Sequence, residues 1–158
     1  MDLVKDLEGP PLVALLERLW RRTKRELDKA ARELAPDLRP SHVRLISITP
    51  AGGLRLGDLA TKAGMTAQSL GEFVDTLNRA GYTEVVPDPA DRRARLVRPT
   101  QRGVQLGLAM NAKVHELEEL WSQEFSNWQW QDFRQVLTTL GRVTAPVGTS
   151  NAIISPNR

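Results

Sequence analysis

The first clear hydrophobic periodicity covers residues 10–34, where Leu12, Leu15, Leu16, Leu19, Leu27, Ala31 and Leu34 recur mostly at three- and four-residue steps. Residues so spaced share one face of a helix, so this stretch predicts a long amphipathic helix. Pro10 and Pro11 suit its first turn, and Pro36 falls just beyond its end. Ser41 reads as the N-cap of a short helix ending before Pro50, after which Ala51–Gly53 breaks the pattern. Leu56, Leu59, Ala60 and Ala63 predict a further short helix closed by Gly64. Thr66 opens the next, whose Leu70, Phe73, Val74 and Leu77 sit at i, i+3, i+4 and i+7, with Gly81 past its end.

Two short helices joined by a glycine-containing turn are a helix-turn-helix candidate. Thr83–Val86 then reads as a strand and Ala94–Arg98 as its antiparallel partner. Between them, residues 87–93 are turn chemistry followed by charge. Thr100 is the N-cap candidate of a second long helix reaching about Glu124, with Leu106, Met110, Val114, Leu117 and Trp121 as its stripe. Ser126 with Gln129 fits a capping box, and the helix behind it carries Phe133, Val136, Leu137 and Leu140 before Gly141. The expected fold is mainly α with a small β-hairpin wing: a winged helix-turn-helix flanked by N- and C-terminal dimerisation helices. Its expected parts are an N-terminal dimerisation helix in 1–40, the winged helix-turn-helix in 41–100, C-terminal dimerisation helices in 101–142 and a flexible tail in 143–158, all within one intertwined domain.

A winged helix of about 60 residues has its own core and does not need helices of about 25 residues around it. Their apolar stripes must be buried against something. A second copy of the chain is the economical answer, and it would set two reading heads side by side. The alternative is that these helices cap the winged helix within one chain.

Composition narrows the chemistry. A length of 158 residues with 41% hydrophobic and 26% charged residues is that of one globular domain. No apolar run approaches the ~20 residues of a membrane-spanning helix. Met1 is followed by Asp2, Lys5, Asp6 and Glu8 rather than a basic-then-apolar leader, so a cytoplasmic protein with no membrane partner is expected. The absence of cysteine excludes disulfides and thiolate metal sites. The two histidines, His42 and His115, lie far apart, so no metal is expected. No Gly-x-Ser-x-Gly, phosphate loop or dinucleotide fingerprint occurs, so neither catalytic residues nor a cofactor are expected.

Lysine and arginine exceed aspartate and glutamate by 22 to 19, so the position of the charge matters more than its sum. Residues 87–103 hold Arg92, Arg93, Arg95, Arg98 and Arg102 against Asp88 and Asp91, a net +3 equal to that of the whole chain. Arginines on a wing can enter a narrow minor groove, and Asp91 in the same turn can pair with one and fix its direction. On the recognition helix, Gln68, Glu72, Asp75 and Arg79 project outward beside Ser69. Two of those are acids, which fits a helix whose first turn alone enters the major groove. Thr66, Ala67, Gln68 and Ser69 are then the reading set: Gln68 can bridge N6 and N7 of adenine, Ser69 can bond a base edge or phosphate, and Ala67 can touch a thymine methyl. Arg18, Arg21, Arg22, Lys24, Arg25 and Lys29 are interleaved with Glu17, Glu26 and Asp28, and read as a solvated helix face.

Leu56-Gly57-Asp58-Leu59-Ala60, Gly64-Met65-Thr66, Leu77 through Gly81-Tyr82, Asp88-Pro89-Ala90-Asp91-Arg92-Arg93 and Thr100-Gln101-Arg102-Gly103 together resemble the multiple-antibiotic-resistance regulator (MarR) family over about residues 40–105. The resemblance implies a homodimeric transcription factor, usually a repressor, on a pseudo-palindromic operator in double-stranded DNA. It implies that Arg93 enters the minor groove, that Asp91 helps orient it, and that Thr66 to Ser69 read the major groove. It also implies release of DNA when a small aromatic compound binds between the dimer helices and the winged helix. Pro99 stands where the family often has leucine, which would shift the start of the long helix slightly.

In that architecture an effector pocket is walled by the first long helix, the helix from Ser41 and the helix from Thr100. Trp20, His42 and Trp121 are the residues there suited to an aromatic acid, although tryptophans on apolar stripes also serve as packing. Trp128 and Trp130 cannot share a helical face, so at least one meets the partner subunit or is partly exposed. A competing function is a winged-helix dimer used for protein contact without specific DNA binding.

Overall fold

The structure, a computed structural model, describes residues 9–142, apart from the side chain of Arg92. The tail expected in 143–158 lies outside the described residues. The element order is α1 (Leu12–Leu34), α2 (Pro40–Ile48), β1 (Leu54–Arg55), α3 (Leu56–Ala63), α4 (Ala67–Arg79), β2 (Thr83–Asp88), β3 (Asp91–Pro99), α5 (Gln101–Ser122) and α6 (Asn127–Arg142). The chain forms two compact units, one running to Leu117 and the other from Glu118.

In the first unit the core gathers one face from each helix. Val43, Leu59, Leu70 and Leu77 are fully buried, with Ala31, Leu38, Ile46, Val74, Tyr82, Val97, Leu106 and Met110 around them. The periodicity of α4 is therefore its burial pattern: Leu70, Val74 and Leu77 point inward. Only the C-terminal part of α1 joins this core, through Ala30 and Ala31 with Leu27 packed against it. Its N-terminal half leaves Leu12, Val13, Leu15, Leu16 and Trp20 exposed.

Pro10 and Pro11 precede α1, with Pro11 as its N-cap, instead of lying in its first turn. The local signals expected to bound α2 and α4 act as their chemistry requires, with one exception. Thr66 Oγ1 accepts the Ser69 N–H at the start of α4. Beyond its end, Gly81 adopts φ +75, the Tyr82 N–H donates to Leu77 O and the Gly81 N–H to Asn78 O, a Schellman closure. The exception is Ser41, which lies inside α2 rather than capping it. Arg39 is the N-cap and Pro40 the first helical residue. Proline has no N–H to leave unmet there and its φ is already helical, so it starts the helix two residues early.

Three strands form a sheet of order β1-β3-β2, all antiparallel. The two-residue β1, in register with Val97 and Leu96, carries no periodicity that a sequence pattern could reveal. The hairpin is longer than expected: β2 continues through Pro87 to Asp88, β3 begins at Asp91, and the tip is Pro89 and Ala90 alone. Pro87 reads as a turn residue, but β2 is an edge strand, where a missing N–H leaves no ladder bond unmade. Pro99 ends β3 opposite Thr83, and α5 starts at Gln101 directly behind Thr100, so the expected shift of the long helix does not occur.

In the second unit, Ser126 and Gln129 form one half of the expected capping box: the Ser126 N–H donates to Gln129 Oε1 at 3.0 Å, and the Ser126 Oγ–H donates to the same oxygen at 2.7 Å rather than accepting the Gln129 N–H. α6 runs through Gly141 to Arg142. Trp130 is half-buried between the rings of Phe125 and Phe133, whereas Trp128 is exposed. Phe133, Val136, Leu137 and Leu140 are all exposed, and α6 has no buried residue.

Candidate nucleic-acid interface

The first turn of α4 presents Thr66, Ala67, Gln68 and Ser69 to solvent, because Leu70 is the first of its residues to turn into the core. Thr66 both caps the helix and donates its hydroxyl to Ser69 Oγ at 3.0 Å. Ser69 is thereby held beside the cap, and the Gln68 amide is left unengaged among the described residues. Glu72 and Asp75 are exposed further along the same helix.

The wing is built around a slip in its ladder. Pairing is regular from Thr83↔Pro99 to Pro87↔Arg95, and then Asp88 stands opposite Asp91. Arg92, Arg93 and Ala94 therefore bulge from β3 between partners that are adjacent on β2, and bulges of this kind re-aim side chains. Arg93 is exposed in the bulge rather than at the tip itself, and Arg95 is exposed two residues on, where regular pairing has resumed opposite Pro87. Arg92 stands beside them on β3. Neither Arg93 nor Arg95 has a carboxylate partner among the described residues.

Among the described residues, the wing aspartates act on backbone rather than on the Arg93 and Arg95 guanidiniums. Asp91 Oδ1 accepts the Arg93 N–H at 3.0 Å, and Asp88 Oδ1 accepts the Ala90 N–H at 2.8 Å. Asp91 thus fixes where the Arg93 backbone turns. Among the described residues, the cation facing both carboxylates is Arg55, from β1, which sequence reasoning missed. The Ala90 N–H, and next the Arg55 guanidinium, hold the Asp88 carboxyl below the usual carboxylate range.

Two of the five arginines counted for the wing have other work. Arg98 pairs with Glu84 directly across the sheet at 2.7 Å. The Arg102 guanidinium lies 4.0 Å from the centre of the Tyr82 ring and donates to the Ala80 carbonyl and to the Tyr82 hydroxyl, at 2.9 and 2.8 Å. It faces Asp37 at 3.4 Å. The positive charge available to a phosphate backbone is therefore concentrated nearer the tip than the sequence count implies.

A cavity of about 590 Å³ opens between α1, α2 and α5, the three walls expected for an effector pocket. Trp20, Leu27, Ile48, Met110 and Val114 give it apolar walls, and Lys24, Arg32, Arg39 and Arg44 outnumber Asp28 around it. Arg44 sits 5.9 Å from the Trp20 ring centre. His42 does not reach it. It is buried, stacks on Phe73 of α4 with ring centres 4.5 Å apart, and lines a separate cavity of about 260 Å³ with Asp37, Arg39 and Glu72. Trp121 belongs to the second unit. Trp20 and His42, two of the three expected effector residues, therefore line separate cavities.

Comparison with known proteins bears on the same region. The family model described as MarR family matches residues 39–94. The Transcriptional activatory protein BadR of Rhodopseudomonas palustris is 42% identical over 55 residues, which are 35% of this chain and 31% of that protein. The match thus spans about a third of that relative's length. Among solved structures, the S. aureus MepR–DNA complex superposes with a TM-score of 0.69 at 17% identity, covering 84% of this chain and 97% of that one. Wild-type MarR (apo form) from E. coli gives 0.66 at 20% identity, covering 85% and 98%. At such identities the likeness is one of fold, and it extends beyond the matched segment to the flanking helices.

Proposed function

We propose that this chain, whose residues 39–94 match the model of the MarR family of transcription regulators, is a sequence-specific DNA-binding regulator that acts as a homodimer on a pseudo-palindromic operator. The observation that carries this reading is the pairing of two exposed reading elements in one unit. These are a helix first turn bearing Thr66, Ala67, Gln68 and Ser69, and a bulged hairpin whose Arg93 and Arg95 have no carboxylate partner among the described residues. In this reading Gln68 addresses a base edge in the major groove while Arg92, Arg93 and Arg95 track the adjacent minor groove and its phosphates. Glu72 and Asp75 lie beyond the first turn and stay clear of the groove floor.

The relatives' names support the DNA partner, since MepR is solved as a DNA complex. Repression by occlusion is what the family resemblance implies, whereas BadR is named an activatory protein. The position of the operator separates the two: overlap with a promoter means repression, and a site upstream of it means activation. The apolar cavity ringed by Lys24, Arg32, Arg39 and Arg44 suits a small aromatic acid as effector, its ring against Trp20 and its carboxylate among the cations. No helix among the described residues is long and apolar enough to cross a membrane, which fits a regulator working on DNA.

The test is selection of bound sites from a random duplex pool at about physiological salt, because affinity without a stated salt concentration is uninterpretable. The expected result is an enriched inverted repeat with half-sites about ten base pairs apart. Binding that is weak, unselective and lost on adding salt would instead favour a protein-contact module, with Glu72 and Asp75 as part of its surface.

A further inference from the structure

Arg55 ends β1 and immediately precedes α3, yet its side chain serves neither element. It occupies the N-cap position of α3 and makes no capping hydrogen bond. Instead it reaches across to the wing, 33 residues on, where its Nε donates to Asp88 Oδ2 at 2.8 Å. One terminal nitrogen lies 2.7 Å from the same oxygen and 3.7 Å from Asp91 Oδ2. The other oxygens of these two carboxylates hold the backbone N–H groups of Ala90 and Arg93. Each aspartate is thus tied on one side to the bulged tip and on the other to a single guanidinium anchored in β1.

We infer that Arg55 is a positioning residue for DNA recognition: it clamps the wing tip to the sheet so that Arg93 leaves the bulge in a set direction, and it cancels two carboxylates that the phosphate backbone would otherwise meet. The inference rests on the DNA-reading function proposed above. The geometry makes both halves necessary to each other. Asp88 is buried, so without Arg55 it is a desolvated anion under the tip, and the bulge has no pairing of its own to hold it. A guanidinium suits the task because its fork can address both carboxylates at once.

The experiment uses the full chain and a duplex bearing the selected site, with Arg55→Gln, Asp88→Asn/Asp91→Asn and the triple variant. Binding is read by fluorescence anisotropy across a salt series. Wing order is read in the free protein as the rate of tryptic cleavage after Arg92, Arg93 and Arg95, well below the melting temperature. Arg55→Gln is expected to lose about tenfold in affinity, in the range for a lost groove contact, with a deficit that narrows as salt screens the bared carboxylates. It should also be cut faster in the wing. Adding Arg55→Gln to the Asp88→Asn/Asp91→Asn variant should change affinity little. Equal loss in both backgrounds, with a shallower salt slope, would mean that Arg55 touches phosphate itself and overturns the proposal. So would wild-type affinity in Arg55→Gln, or unchanged wing cleavage. If the wild type selects no duplex while Arg55→Gln still speeds wing cleavage, the clamp stands and the DNA-reading function falls.

Discussion

Arg93 and Gly103 show how differently residues of two neighbouring motifs are constrained. Arg93 is exposed, and its constraint comes from Asp91, which holds its N–H. Its removal leaves the fold alone and is expected to weaken specific binding by about 1–3 kcal/mol, measured on the selected duplex against an unrelated one. Gly103 is the opposite case. A Cβ there would fall on the backbone carbonyl oxygen of Tyr82, and neither backbone has room to yield. Gly103→Ala is expected to destabilise by about 1–3 kcal/mol or more, the usual range for overpacking, read as a lower midpoint in urea. The glycine of Thr100-Gln101-Arg102-Gly103 is therefore a packing requirement. That requirement was legible only as a motif, since nothing in the sequence says what lies 21 residues back. Arg55 was illegible for the same reason: an arginine before a short helix has no pattern, and its partners lie on two other strands. By contrast, Thr66 and Ser126 act on N–H groups or side chains three residues away, and such local chemistry is open to reading from sequence.

Among the elements, α2 and α4 meet through the stacked pair His42 and Phe73. His42 Nδ1 is buried without a hydrogen-bond partner among the described residues. Burial first, and the Arg39 cation second, push its pKa below the ordinary value. The unfolded chain therefore takes up a proton near pH 6.5, where the folded chain does not. Stability from this residue is whole above that point and is lost as the pH falls towards the lower folded value. The melting temperature should fall between about pH 7.5 and 5.5, and His42→Phe should flatten that dependence when the two are compared by calorimetry. Helix positions were readable because burial follows the 3.6-residue period. The strand limits were not, because Pro87 signals a turn unless one knows that β2 is an edge, and because β1 is too short to show alternation.

For the whole molecule, the unburied surface is the main fact. The N-terminal half of α1 leaves Leu12, Val13, Leu15 and Leu16 in solvent, and α6 leaves Phe133, Val136, Leu137 and Leu140. Monomeric proteins rarely expose contiguous apolar faces of this kind. A homodimer is the assembly these faces support, and light scattering should give twice the 17.6 kDa chain mass. Val136→Glu places a charge on a residue already exposed in the single chain. It should therefore leave the fold intact and weaken the dimer about tenfold or more.

The junction between α4 and α5 has a mechanical consequence. Thr100 Oγ1–H donates to the Gly81 carbonyl and accepts the Gly103 N–H, the Thr100 N–H donates to Tyr82 O, and Arg102 takes the Ala80 carbonyl. A free donor at the head of α5, the Gly103 N–H, and the carbonyls of Ala80, Gly81 and Tyr82 just past the tail of α4 are thus satisfied in a single knot. Neither end can fray by itself. Any tilt of the first turn of α5 must carry the tail of α4 with it, so the two helices behave as the arms of one crank rather than as two rods joined by a string.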